Sequence, residues 1–382
     1  MAKTKIKVCF FSLQAYSLFN PKNKSNFGGA ELQSFLLSKE LVKDPRFDVS
    51  FIVGDFGQRE FENKYKIKIY KLNNSFCQET WREKIIFSFN LFKLLKKIDV
   101  DIYIQRALGT TTGVFALFCK IFGKKFIFMS AHENDLNVQK INKTWRGKFS
   151  YFGIKNADLF LTQNVEHQKL LLKNYGKTSI VFKNVLEFPK KMNKHSKQTI
   201  LWVASSQPFK RPGLFLKIAQ SFLKEKFEMV MPRHPHYKNL YLKIIKQAQK
   251  IPNLKIFGRI PFSKIGSFFK RAKVFVNTSE SEGFPNTFVQ AASCAVPILS
   301  LKVNPDNFLE KYNCGFCAKN NFKKLTKYMK ILLKNKNIWS QLSKNSYNYA
   351  KKNHDIKKNI VLFKKYLLTL HKKRQKTGTT KI

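Results

Sequence analysis

With 382 residues the chain is long enough for two domains with complete cores, and 43% hydrophobic residues mark it as globular. Lys and Arg number 72 against 23 Asp and Glu, a formal charge of +49, so an anionic partner is expected, whether nucleic acid, nucleotide or anionic lipid. The lysines are spread along the chain beside abundant Phe, Asn and Ile, so composition bias competes as their explanation.

Met1 to Lys7 runs directly into the strand-like Val8-Cys9-Phe10-Phe11, with no cleavage region of a secretory signal. The longest apolar region, Val114 to Met129, is interrupted by Lys120, Lys124 and Lys125 and falls short of the ~20 residues that cross a bilayer. The expected location is therefore the cytoplasm. Cysteines at 9, 77, 119, 294, 314 and 317 lie mostly in apolar segments and read as reduced core thiols, with Cys314-Gly-Phe-Cys317 an isolated C-x-x-C.

In chain order, Ile6 to Ser12 is a first strand, and Gly28-Gly29-Ala30-Glu31 opens a helix reaching about Lys43. A glycine pair between strand and helix permits close backbone approach to a ligand. Strands follow at 49–53 and 66–72, a helix at 83–98, and a strand at 102–105. Asp99-Val100-Asp101 precedes that strand at its amino end, where ligands of open α/β sheets do not gather, so it reads as a turn and not as a metal site. A helix at 113–122 and a strand at 125–130 lead to the loop Ala131-His132-Glu133-Asn134-Asp135, at a carboxyl strand end where a site residue would stand. The alternation continues through 145–157, 159–163 and 166–174, giving a Rossmann-like first domain over 1–186.

The polar run 187–198 reads as a linker. A second sheet begins at 199–203, and its first loop carries Lys210, Arg211 and Pro212 ahead of a helix. Strand and helix then alternate to the apolar run Val274-Phe275-Val276, the loop Ser279-Glu280-Ser281-Glu282-Gly283-Phe284-Pro285, and a helix from about Asn286 through Gln290. Pro285 suits a helix start, because its missing N–H costs nothing there. Such a strand-loop-helix turn leaves backbone N–H groups at the positive end of a helix dipole, a site for phosphate or a sugar oxygen. Glu282 stands at its mouth as a carboxylate expected to serve chemistry more than packing. The second domain spans 199–354; an amphipathic helix over 355–370 and a basic tail over 371–382, expected to be disordered, follow.

Glu282-Gly283-Phe284-Pro285 with Gln290 resembles the Glu-x7-Glu signature of the retaining GT-B glycosyltransferases of family 4, the glycosyl transferases group 1, and Gly28-Gly29-Ala30-Glu31 resembles their opening motif. The resemblance implies an α/β, GT-B fold of two Rossmann-like domains facing a central cleft, with the C-terminal helix recrossing to the first domain. It implies a retaining hexosyltransferase-type enzyme moving sugar from a nucleotide-sugar donor to a glycan or lipid-linked acceptor, in polysaccharide or glycoconjugate biosynthesis. Glu282 and His132 are the implied catalytic residues. Gly28, Gly29, Lys210, Arg211, Gly283, Phe284, Pro285, Asn286 and Gln290 are implied to bind substrate, Lys210 serving the diphosphate and Gln290 the ribose. No metal and no cofactor are expected.

Two positions depart from the family pattern. Gln290 replaces the second Glu, and Ser205 stands where a phosphate-binding Arg is usual, so Arg211 or Arg233 becomes its expected substitute. The alternative is a catalytically inactive GT-B scaffold or partner subunit. A nucleic-acid-binding protein fits less well, since no recognised module is present, and a dinucleotide oxidoreductase would need Gly-x-Gly-x-x-Gly after the first strand. The remaining expectation is peripheral attachment to an anionic membrane at its inner face. Phe87, Leu91, Leu94 and Leu95 would enter the headgroups beside Lys93, Lys96 and Lys97, as would Phe115, Phe118 and Phe122 beside Lys120, Lys124 and Lys125, unless these helices pack their apolar sides on the sheet.

Overall fold

Parallel strands in two separate sheets frame the chain in a computed structural model that describes residues 5–76, 80–138, 144–188 and 197–378. Cys77, the linker residues 189–196 and the tail residues 379–382 lie outside the described residues. The chain divides into one unit of Met1–Val185 with Ile356–Ile382 and a second of Leu186–Asp355.

The first unit contains β1 (Ile6–Phe11), β2 (Phe47–Gly54), β3 (Phe61–Lys64), β4 (Ile67–Leu72), β5 (Ile102–Arg106), β6 (Lys125–Met129), β7 (Leu159–Thr162) and β8 (Ile180–Val181). They lie in the order β3-β4-β2-β1-β5-β6-β7-β8, parallel throughout except for the β3–β4 pair. The second unit contains β9 (Thr199–Val203), β10 (Lys226–Val230), β11 (Leu254–Phe257), β12 (Ala272–Asn277), β13 (Ile298–Ser300) and β14 (Gly315–Cys317). Their order is β11-β10-β9-β12-β13-β14, with every pair parallel.

These strands read as unbroken apolar runs because helices cover both faces of each sheet. Val8, Phe10 and Ile104 are buried in the first unit, as are Leu201, Phe275 and Ile298 in the second. In both sheets the chain reverses about its first strand, between β1 and β5 and again between β9 and β12. Ligands of such folds collect beyond the carboxyl ends of the strands at this reversal. Strands β3, β8 and β14, of four, two and three residues, were not expected from the sequence, being too short to display an apolar period.

Helical starts follow local chemistry. The Trp81–Ile98 helix is capped reciprocally, with Thr80 Oγ1 accepting from the Glu83 amide at 3.2 Å and Glu83 accepting from the Thr80 amide at 2.7 Å. The Thr110–Ile121 and Trp145–Lys155 helices meet backbone to backbone: a Cβ on Gly153 would lie 2.4 Å from the Thr112 carbonyl carbon. The last helix, Ile356–Gly378, belongs to the first unit and seats Phe363 against Phe10 and Phe182. It extends past the expected end at Leu370, correcting the expectation that His371 begins a disordered tail. Arg374 continues the docking by donating to the Gly123 carbonyl at 3.0 Å and pairing with Asp101.

Three other expectations are resolved here. Asp99 pairs with Lys124 at 2.5 Å, and Asp101 accepts from the Lys7 amide at 2.9 Å, so both carboxylates brace the amino end of β5. Cys314 and Cys317 are buried free thiols; burial pushes Cys314 up to about 12 and raises Cys317, so both stay protonated. Phe87, Leu91, Leu95, Phe115 and Phe118 lie within the first unit's core, so of the two expectations for these residues the structure shows packing within the domain and not lipid contact. No helix among the described residues is long and apolar enough to cross a membrane.

Candidate active site

At the reversal point of the second unit, the loop after β9 carries Lys210 and the loop after β12 carries Glu282. Lys210 Nζ lies 2.8 Å from Glu282 Oε2, with side chains 14% and 15% exposed. Asn277 Nδ2 donates to Glu282 Oε1 at 3.1 Å. Burial raises the carboxyl pKa, but the Lys210 charge and hydrogen bonds from Lys210, Ser279 and Asn277 outweigh it and hold Glu282 below the usual glutamate range. The site thus presents a fixed carboxylate and a compensated ammonium, and Glu282 contributes to the local structure as well as to any chemistry. The expectation that it adds little to packing is corrected accordingly.

Arg211 has a structural task that its sequence position did not announce. Its backbone is left-handed at φ 49°, and its guanidinium donates to the Thr278 carbonyl at 2.9 Å, Asn320 Oδ1 at 2.8 Å and the Ser279 carbonyl at 3.3 Å. It therefore braces the loop that carries Glu282 and does not stand ready as a replacement diphosphate ligand. Arg233 is exposed on a neighbouring loop. Ser205 Oγ accepts from Gln207 Nε2 at 2.7 Å.

Thr278 joins the two loops, accepting from Trp202 Nε1 at 2.9 Å and donating to the Lys210 carbonyl at 2.7 Å. Sequence reasoning passed over Asn277 and Thr278, and placed Ser279 in the loop without giving it a role of its own. The signal was available in a polar triplet closing the apolar run 274–276, at the carboxyl end of a central strand.

Beyond Glu282, Gly283 and Pro285 are buried in the turn, Pro285 is the N-cap, and Asn286 opens the helix Asn286–Ser293. Gln290 lies in the second turn of that helix and is half-buried. Phe284 points elsewhere: its ring packs 5.1 Å from Phe308 and 4.9 Å from His354, inside the core. Its ring therefore anchors the turn, and the expected role of residues 283–286 toward substrate concerns their backbone amides. A cavity of about 590 Å³ lies between the Pro212–Ser221 and Lys238–Ala248 helices of this unit, touched by Arg211 but lined by neither Lys210 nor Glu282.

In the first unit, exposed Gly28 donates its N–H to Glu31 Oε2 at 2.8 Å, and Gly29 begins the Gly29–Leu41 helix. His132 opens a short turn after β6, its Nδ1 accepting from the Asn134 amide at 3.1 Å. Asp135 accepts from the amides of Ala131 at 2.7 Å and His132 at 2.9 Å, fixing that loop. Arg106, at the carboxyl end of β5, was not singled out from sequence. It is buried and donates to Asn184 Oδ1 at 2.6 Å, while its Nε has no hydrogen-bond partner. Burial pushes it down to about 10, against the opposing charges of Asp135 and Glu31, so it remains a cation at neutral pH. Among the described residues no group of three or more His, Cys, Asp or Glu is placed to hold a metal ion.

Residues 185–353 match the family described as "Glycosyl transferases group 1". The second unit is a group 1 glycosyl transferase domain. An uncharacterized glycosyltransferase of Haemophilus influenzae is 25% identical over 346 residues, covering 85% of this chain and 92% of the relative. Among solved structures, sucrose-phosphate synthase from Thermosynechococcus elongatus superposes with a TM-score of 0.76 at 12% identity, over 96% of this chain and 99% of that one. HepE of Anabaena, in complex with UDP and glucose, gives a TM-score of 0.68 at 12% identity, over 98% of this chain and 100% of that one. Beyond the family domain, the fold across the chain is the two-unit α/β arrangement of GT-B proteins, and the Lys210–Glu282 pair lies within the family's matched residues.

Proposed function

We propose that the chain is a retaining glycosyltransferase that moves a sugar from a nucleotide-sugar donor to a glycan or lipid-linked acceptor, in polysaccharide or glycoconjugate assembly. The observation that carries this reading is the Lys210–Glu282 pair, held at the sheet reversal next to the start of the Asn286–Ser293 helix. A leaving nucleoside diphosphate accumulates negative charge on its bridging oxygen. An ammonium and helix amides aimed there stabilise it where charge develops.

In this reading the bond from the sugar's anomeric carbon to phosphate breaks, and a bond to the acceptor oxygen forms on the same face. The acceptor proton passes to the leaving phosphate oxygen. Glu282 orients the sugar hydroxyls and releases part of its hold on Lys210 as the diphosphate arrives. Gly283, Pro285 and Asn286 present backbone to the donor, Arg211 positions their loop, and Gln290 meets the ribose. From the first unit, Gly28, Gly29 and His132 serve the acceptor side and the sugar.

UDP-glucose is the first donor to test, because UDP and glucose occupy the HepE structure. Release of UDP together with a new α-linkage, seen by nuclear magnetic resonance, is the expected result. Nucleoside diphosphates that stabilise the protein without turnover of any donor would instead favour an inactive scaffold.

Two further outcomes test the site assignments. Lys210→Ala should weaken nucleoside diphosphate binding by roughly 1.5–3 kcal/mol, the scale of a charge-assisted hydrogen bond. Gln290→Ala deletes only neutral hydrogen bonds and should cost about 0.5–1.5 kcal/mol. Calorimetry giving the reverse order would exchange or remove the two roles. With Lys210 and the helix amides supplying the positive charge, transfer should also persist in the presence of a chelator. Loss of activity that magnesium or manganese restores would contradict that assignment.

A further inference from the structure

Eight positions of the Trp81–Ile98 helix are exposed, and none is acidic. Trp81, Ile85, Ile86 and Phe89 are apolar, with Trp81 63% and Phe89 56% exposed, while Arg82, Lys93, Lys96 and Lys97 are cationic. At 100° per residue these eight fall within an arc of about 160°, opposite the buried Phe87, Leu91 and Leu95. The adjoining helix extends this surface. Half-buried Phe92 packs its ring 5.9 Å from that of Phe122, beside exposed Ile121 and Lys120.

Cations also lie against the exposed rings, Lys93 Nζ at 4.4 Å from the Phe89 centroid and the Arg82 guanidinium at 5.5 Å from that of Trp81. Exposed apolar side chains are ordinary when scattered. A contiguous set whose exposed charged neighbours within the helix are all cationic calls for a partner, with Asp99 at the helix end paired to Lys124.

We propose that this face docks on an anionic phospholipid bilayer, with Trp81, Ile85, Ile86 and Phe89 entering the headgroup layer and the four cations meeting lipid phosphates. Charge complementarity selects this occupant. A second copy of the chain would bring the same cations against themselves, whereas an anionic surface attracts all four at once and accepts aromatic rings at its polar boundary. The long cationic stems lie along the apolar surface while their heads reach outward. The inference rests on the glycosyl-transfer reading in one respect: it selects the lipid-linked class of acceptor over a free glycan. Docking itself requires neither donor nor acceptor.

The test is flotation of the full chain with phosphatidylglycerol/phosphatidylcholine vesicles and with phosphatidylcholine alone, at low and high salt, without nucleotide. The wild type should bind only the anionic vesicles, and salt should weaken binding. Trp81→Ser/Phe89→Ser and Lys93→Glu/Lys96→Glu/Lys97→Glu should each lose roughly tenfold or more in partition, with circular dichroism melts unchanged because every altered side chain is exposed. Leu223→Ser/Leu242→Ser, altering exposed apolar residues of the second unit, should bind as the wild type does. Absence of binding to anionic vesicles at low salt, equal binding by the face variants, or a dimer that Trp81→Ser/Phe89→Ser converts to monomer without any lipid binding would each overturn the proposal. A protein that binds vesicles yet turns over no donor would leave docking in place and remove the transferase reading.

Discussion

Glu282→Gln is expected to lower kcat/KM with the working donor by about 10²–10³-fold, the scale of losing one preorganised electrostatic contact to the reacting group. The amide retains a hydrogen-bond acceptor for Asn277 but no longer matches the charge of Lys210, which lies 2.8 Å from the wild-type carboxylate. Glu282→Ala goes further, leaving Lys210 in a largely buried position without its partner, and should cost about 1–3 kcal/mol of stability as well. Loss of rate in Gln with little change in melting, and loss of both in Ala, is the expected pattern. Unchanged turnover in Glu282→Gln would remove the residue from the mechanism.

The same pair predicts a pH dependence of stability with a definite sign. Glu282 is held below the usual glutamate range in the folded chain, so its contribution is complete above the unfolded value of about 4.3 and disappears as pH falls through the folded value. Wild type should therefore lose melting temperature below about pH 4 more steeply than Glu282→Gln. Parallel melting curves for the two proteins in that range would show that the pair contributes nothing to stability.

Phe284→Ala carries the largest expected cost in stability, about 3–5 kcal/mol, because the ring is enclosed by Phe308 and His354 and its removal opens a cavity. For a unit of this size that corresponds to a fall of roughly 6–20 °C in its melting temperature. Phe284→Leu keeps most of the volume and should cost less than about 1.5 kcal/mol. A direct substrate contact predicts the opposite pattern, in which Phe284→Ala raises KM while the melt is unchanged. Thermal denaturation beside donor kinetics separates the two. A fall in rate that accompanies lost stability has a physical route, since Phe284 lies two residues from Glu282 and anchors the turn that presents it.

Much of this chain is legible before it folds. The central strands are apolar runs bounded by polar loops, and parallel sheets covered on both faces require such runs, so residues 6–11, 102–106, 199–203 and 272–277 announce themselves. Helices with a 3.6-residue apolar period do the same, as the expected 83–98 did for the observed Trp81–Ile98, whose start two residues earlier is set by the Thr80–Glu83 cap. The loop from Ser279 to Asn286 was legible because Gly and Pro restrict backbone geometry locally, and the restriction acts within a few residues.

Direction and partnership were not legible. Helical spacing specified that 81–98 has an apolar stripe at Phe87, Leu91 and Leu95, but left open whether it meets lipid or the sheet; the fold buried it and exposed Trp81, Ile85, Ile86 and Phe89. Both sets are large and apolar, and only packing against the sheet distinguishes them. Arg211 looked like a free cation until the approach of residues 278, 279 and 320 supplied its acceptors across 67 to 109 positions of chain. Lys210 and Glu282, 72 positions apart, became a pair because β9 and β12 are neighbours in the sheet. The sequence by itself determined the central strands, most of the helices and the turn that carries the carboxylate, because propensity, periodicity and turn chemistry act over short distances, whereas the short strands β3, β8 and β14 were beyond its reach. Tertiary structure alone decided which side chains face core, solvent or one another, because burial and charge pairing depend on residues that only the completed sheet brings together.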